Sequence, residues 1–216
     1  AGPPGPCGPN SEMFYWAPLD EAPPGEGYMV EGWLRDEASG KWVEIWNDVF
    51  IQYEWQGAPK ANGKGYDKIG MPELPFRSID TGMGIERTAF VLAGQQNAYD
   101  TEGFQAIFRA IRPLAAQPSE RAERIVADHL RTATFCLGDG IRPGNTGRGY
   151  VLRRLIRRAI LQGQRGLGIT DPFLPRVARA VIDEYGDIYP ELSEQAGAIL
   201  DALAREEELF RRTLEA

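Results

Sequence analysis

The hydrophobic period of this chain changes once, and that change limits the folds open to it. Up to about residue 92, apolar residues alternate or bunch in short runs bounded by turn formers. From residue 100 onward they recur at helical spacing. Trp42 to Trp55 is the strongest strand signal, dense in β-branched and aromatic residues. Weaker strand signals cover Glu12–Trp16, Tyr28–Leu34 and Phe76–Asp80. Between them lie a Pro/Gly loop over 1–10, an acidic, proline-rich loop over 18–27, a turn over 36–40 and a polar loop over 56–75. The second part predicts helices over 101–114, 119–137, 148–163, 173–186 and 191–215. Their breaks fall at Pro118, Gly138–Gly147, Gly166–Pro172 and Gly186–Pro190. The expectation is an α+β chain: an antiparallel sheet with one late helix over residues 1–100, then an all-α domain over 101–216.

Few function classes survive the composition. The chain has 216 residues, enough for one large domain or two modest ones. No run approaches the roughly 20 apolar residues of a membrane span, and the N-terminus is not signal-like. Cys7 and Cys136 lie far apart without a CxxC partner, so neither a disulfide nor a zinc site is expected, and a reducing cytoplasm is. The lone His129, read as a buried hydrogen-bonding group, excludes a histidine-rich metal site. The chain begins at Ala1 inside a proline-glycine run and ends in a helical pattern, so a piece of a longer protein is expected. Net charge is −7 but uneven. Between residues 131 and 165 eight arginines (131, 142, 148, 153, 154, 157, 158 and 165) face one acid, Asp139. Such an island suits a phosphate backbone.

Three stretches could carry chemistry. In Ser78–Leu92, a strand over 76–80 and a tight turn over Thr81–Gly84 lead into a helix over 85–92. Gly82 and Gly84 permit close backbone approach, and Arg87 sits in the first helical turn, where free N–H groups and the dipole favour an anion. The same residues also fit an ordinary tight turn with a solvated arginine. In the strand 42–55, Val43, Ile45, Asn47, Val49 and Ile51 share one face, and Glu44, Trp46, Asp48, Phe50 and Gln52 the other. Asn47, a poor strand former in an apolar row, is either bonded to a neighbouring loop or a ligand contact. Asp80 is either an ammonium-binding carboxylate or a cap for the turn. Finally, Ala127–Arg158 reads as helix, loop and helix. Its second helix carries Arg153/Arg157 and Arg154/Arg158 at i,i+4 with no glutamate at that spacing. These arginines repel one another unless an anion or an acidic neighbour neutralises them.

These strings resemble a known family. Asp80-Thr-Gly-Met-Gly-Ile-Glu-Arg87 is similar to motif 3 of class II aminoacyl-tRNA synthetases, in the form found in the alanyl-tRNA synthetase family. Glu44–Tyr53 resembles the strand lining that family's alanine pocket, and Ala127–Arg158 its middle, tRNA-recognition domain. Gly5-Pro-Cys-Gly-Pro-Asn-Ser-Glu12 resembles a third family string, with Asn10 where a Cys is common, and no role is assigned to Glu12. The resemblance implies a sheet from the class II catalytic half and an ATP-dependent alanine–tRNA ligase using Mg²⁺. It implies that Asp80 binds the alanine ammonium, that Asn47, Val49 and Gly82 form the pocket, and that Gly84 and Arg87 meet ATP. Asn145 would approach the minor groove of the tRNA(Ala) acceptor stem, beside Arg153, Arg154, Arg157 and Arg158. Glu44 and Asp48 are candidates for Mg²⁺. Motifs 1 and 2 would precede Ala1; a zinc-bearing editing domain and a C-terminal domain would follow Ala216. An RNA-binding module or inactive paralogue, and a purely structural piece, are the competing readings.

Overall fold

One strand organises the first half of the protein. In the computed structural model, which describes residues 3–215, β3 (Trp42–Pro59) pairs antiparallel with every other strand of a five-stranded sheet. Its partners are β1 (Gly5–Cys7), β2 (Asn10–Trp16), β4 (Tyr66–Gly70) and β5 (Glu73–Met83). The chain divides into two compact units, one ending at Ala98 and the other beginning at Tyr99.

The α+β architecture is as the sequence predicts, and several local assignments are not. The Pro/Gly run contains β1, with Gly5 opposite Trp55 and Cys7 opposite Tyr53. Ala1 and Gly2, at the head of that expected loop, lie outside the described residues. The expected polar loop over 56–75 contains β4, because β3 continues to Pro59 and turns back through Gly63 and Gly65, both at positive φ. The tight turn expected over Thr81–Gly84 is mostly strand. Thr81, Gly82 and Met83 pair with Asp48, Asn47 and Trp46, and only Gly84 caps helix α2 (Ile85–Leu92).

Tyr28–Leu34, expected as a strand, instead enters helix α1 (Val30–Ala38). Its contacts run at helical spacing. The Tyr28 ring lies under Gly32, where a Cβ would come within 2.9 Å of it, and Trp33 stands edge-on to Phe14 with ring centres 5.3 Å apart. Near-buried Asp36 accepts hydrogen bonds from the Tyr28 hydroxyl (2.9 Å) and the Arg35 guanidinium (3.0 Å). Tyr28 in turn accepts one from Trp42 Nε1 (3.0 Å), which ties the helix to β3. The Arg35 hydrogen bond holds the Asp36 carboxyl below the usual carboxylate range despite its burial.

The second unit is helical: α3 (Glu102–Ile111), α4 (Glu120–Gly138), α5 (Gly147–Leu161), α6 (Leu174–Tyr185), α7 (Pro190–Glu194) and α8 (Ala196–Glu215). The breaks follow the expected prolines and glycines, and Ser119 caps α4 through its hydroxyl. The helix expected over 191–215 is interrupted at Gln195, whose side-chain amide donates to the Gly138 carbonyl at 2.6 Å. Ile107, Val126, Leu130, Ile156, Leu174 and Val177 are among the fully buried side chains of its core.

The turn between β1 and β2 depends on a glycine. A Cβ at Gly8 would lie 1.7 Å from the backbone oxygen of Phe50, while the Phe50 N–H donates to Pro9 O at 2.8 Å. That obstacle is main chain and has no rotamer to yield. Gly8→Ala should therefore destabilise the sheet unit by roughly 2–3 kcal/mol, the upper range for overpacking. Urea unfolding followed by tryptophan fluorescence measures it; an unchanged midpoint would show that the turn can move.

Candidate functional site

The register of the sheet brings the expected pocket residues onto one face. Cross-strand partners share a face, and β2, β3 and β5 place Glu12, Asn47 and Gly82 in one row. Asn10, Val49 and Asp80 form the next. Asp80 lies within β5 opposite Val49, so its expected alternative as a turn cap does not apply at that position. A Cβ built at Gly82 meets no atom within 4 Å, so the face is open there.

This face is polar and mostly acceptor. Glu12 Oε1 accepts from Asn47 Nδ2 at 2.9 Å and from Asn10 Nδ2 at 2.6 Å. The Asn47 oxygen is buried and has no hydrogen-bond partner. Glu12 was left without a role in the sequence. The only signal for it was its two-residue spacing from Asn10, which puts both on one strand face.

Arg87 reaches back from the first turn of α2 to the sheet. Its Nη1 donates to the Glu44 main-chain oxygen at 2.7 Å and lies 3.7 Å from the Glu44 carboxylate. Gly84 leaves room for this: its hypothetical Cβ would stand 3.2 Å from the Arg87 side chain. The guanidinium is thus pinned at one nitrogen, while the side chain stays 52% exposed. The two Mg²⁺ candidates do not form a shared site. Glu44 and Asp48 are four residues apart on β3, about 13 Å along a strand, too far to share one ion. Among the described residues no cluster of three His, Cys, Asp or Glu side chains could hold a metal.

In the helical unit the structure divides the arginine island. Arg157 donates to buried Glu206 of α8 at 2.7 Å, and Arg153 Nε lies 3.3 Å from the same carboxylate. Glu206 is the acidic neighbour that lets the two sit one turn apart, and both arginines, expected on a phosphate-facing surface, are partly exposed and engaged with it. Arg153 also donates to the Asn145 oxygen. Arg142 is engaged as well, donating to the Leu137 carbonyl at the end of α4. Arg148, Arg154 and Arg158 are exposed on α5 with Asn145 in the preceding loop, and half-exposed Tyr150 and Val151 lie between them. The sequence did not single out Tyr150 and Val151, because their exposure depends on which face of α5 is packed. His129 is buried, with Nδ1 2.8 Å from Asp128. That hydrogen bond holds the Asp128 carboxyl below its ordinary value, aided by the charges of Arg131 and Arg158.

A family profile described as "tRNA synthetases class II (A)" matches residues 1–216. The chain is 44% identical over 220 residues to an alanine–tRNA ligase of Anaeromyxobacter sp. (strain Fw109-5), covering 98% of this chain and 23% of that protein. It is 43% identical to the alanine–tRNA ligase of Myxococcus xanthus (97% of this chain, 23% of the relative). It is also 43% identical to that of Treponema pallidum (95% and 32%). The chain therefore spans about a quarter to a third of the length of these relatives.

Glu206 supplies a stability test. Arg157→Met would leave Glu206 with Arg153 alone. Breaking a buried ion pair outright costs about 3–5 kcal/mol. With Arg153 retained and Arg157 about one-third exposed, a loss of about 1–2 kcal/mol is expected. Thermal unfolding of the chain measures it, and an unchanged midpoint would make Arg157 free for another role.

Proposed function

The chain belongs to the class II (A) family of tRNA synthetases, and on that premise we propose that it carries the amino-acid pocket and acceptor-stem surface of an alanine–tRNA ligase. The observation that carries this reading is the placement of Asn47, Gly82, Val49 and Asp80 in two adjacent rows on one sheet face, with Arg87 following at the start of α2. Alanine offers little side chain to recognise, so a selective site must read its charged ends. Asp80 accepts from the ammonium group by a charge-assisted hydrogen bond. Gly82, opposite Asn47 and two positions from Val49's partner, presents no side chain of its own and leaves the face open for the substrate methyl group.

In the first step an alanine carboxylate oxygen attacks the α-phosphorus of ATP, forming alanyl-adenylate and expelling pyrophosphate. The alanyl group then passes to the terminal ribose of the tRNA. Neither step needs a covalent bond to the protein, so these residues act by orientation and charge. Arg87, held by Glu44 at one nitrogen, presents the rest of its planar fork to the γ-phosphate, and Gly84 allows it to fold back. Mg²⁺ would neutralise phosphate charge when bound, held chiefly by the nucleotide with at most one of Glu44 and Asp48.

Acceptor-stem binding falls to the exposed side of α5. Arg148, Arg154 and Arg158 meet phosphates, and Asn145 reads the shallow minor groove, where amide side chains can reach base edges. Arg153 contributes by holding the Asn145 amide, and Arg157 by holding α5 to α8.

Two experiments on the full-length protein test the reading. Asp80→Asn should raise the KM for alanine roughly tenfold to a hundredfold in ATP–pyrophosphate exchange, from the loss of a charge-assisted bond worth about 1.5–3 kcal/mol. An unchanged alanine KM removes Asp80 from the pocket. Replacing Arg154 and Arg158 by Gln should weaken tRNA binding and lower the slope of log K against log salt by about 2, one released counterion per arginine. Loss of binding with an unchanged slope would mean these arginines do not touch phosphate.

A further inference from the structure

We propose that Glu12 is a positioning residue of the amino-acid pocket: it locks the Asn47 amide so that its oxygen, and not its nitrogen, is offered to the ammonium group of the substrate. The proposal rests on the pocket reading above and adds a residue to it. An ionised carboxylate is acceptor-only. With Glu12 Oε1 at 2.9 Å from Asn47 Nδ2, turning the amide over would set oxygen against oxygen. The neighbouring Asn10 amide donates to the same Glu12 oxygen at 2.6 Å and holds the carboxylate where it is.

The cost of this lock is visible at the other end of the amide. Asn47 Oδ1 is left buried without a partner, a state found in only a few groups per hundred residues of native structure. It sits in the row that ends at Gly82, where the face is open, and diagonal to Asp80 on the same face. A primary ammonium group brings three N–H donors. Asp80 and the Asn47 oxygen are acceptors from two strands for one such group. A hydroxyl or methyl in its place could not satisfy both, so the lock favours an amine end over its isosteres. Asn10 is part of the device, because its amide is a strong donor to Glu12 and a thiol there would be a much weaker one.

A merely structural Glu12, stitching β2 to β3, would affect stability without touching substrate selection. The two are separated by a kinetic double-mutant cycle in the full-length protein, read by alanine-dependent ATP–pyrophosphate exchange and by thermal unfolding. In Glu12→Gln the neutral amide can turn either end toward Asn47, so the lock is lost while the shape is kept. The KM for alanine should rise about tenfold, the scale of one charge-assisted bond, with kcat, the KM for ATP and the unfolding midpoint unchanged. In an Asn47→Ala background the same Glu12→Gln change should alter the alanine KM by less than about twofold, because Glu12 acts through Asn47. Equal losses in both backgrounds, or a lowered midpoint with a normal alanine KM, would overturn the proposal. If Asp80→Asn raises the alanine KM as expected while Glu12 and Asn47 show no coupling, only the proposal falls. If Asn47→Ala and Asp80→Asn both leave the alanine KM unchanged, the pocket reading itself fails.

Discussion

The first unit depends on the hydrogen-bond ladder of β3, which reaches 18 residues and pairs with four other strands. Because side chains alternate along a strand, the register of those pairings decides which residues meet. A slip of one residue between β3 and β5 would move Asp80 and Gly82 to the opposite face from Asn47 and Val49. Main-chain contacts support the register: Gly8 lies against the Phe50 oxygen at mid-strand, and the Gly84 N–H donates to Ile45 O at 3.0 Å. Asn47, Val49, Asp80 and Gly82 owe their juxtaposition to this backbone arithmetic more than to contacts among themselves. Among the described residues of this unit few side chains are buried, Phe90 and Ala17 being the apolar ones.

The helical unit is held differently. It has a continuous apolar core, and two consecutive glutamates of α8 lie inside it. Glu207 accepts from the Phe173 and Leu174 N–H groups at the start of α6, where the helix dipole favours a carboxylate, and is joined by Arg211. Glu206 takes Arg157 and Arg153. Buried carboxylates are tolerated only when so surrounded. They fix the register of α8 against α5 and α6 in a way that apolar contacts alone would not.

Much of this was legible in the sequence. The period change, the helix breaks and the long strand each follow from residues that act locally: prolines that cannot continue a helix, glycines at its ends, β-branched runs. Residue pairs distant in sequence were not legible. Tyr28–Leu34 has the composition of a strand, and only the Asp36–Tyr28–Trp42 chain of hydrogen bonds and the Trp33–Phe14 contact make it a helix. The pairing of β1 with residues 53–55 is invisible in a Pro/Gly run. Asn47, Val49, Asp80, Gly82 and Arg87 could be picked out by family resemblance. Glu12 and Glu206 could not, since the importance of each lies in a partner 35 and roughly 50 residues away.

The same distinction applies to the arginine island. Every basic residue from 119 onward is arginine, and the lysines all lie earlier. An arginine fork serves carbonyls and carboxylates within the chain as readily as external phosphates. Arg142 takes the Leu137 carbonyl at the end of α4, Arg153 and Arg157 take Glu206, and Arg131 lies over the Phe104 ring and donates to the Tyr185 hydroxyl. Those four are part of how the unit is built. Arg148, Arg154, Arg158 and Arg165 remain exposed, three of them on α5 and its first turn. The charge available to a polyanion is therefore about half of what the sequence count suggests, and it is concentrated on one helix beside Asn145. On the sheet the balance is reversed: the Asp80 carboxylate and the unpartnered Asn47 oxygen are acceptors on one face. Neither the acidic sheet face nor the basic helix face is apparent from a net charge of −7.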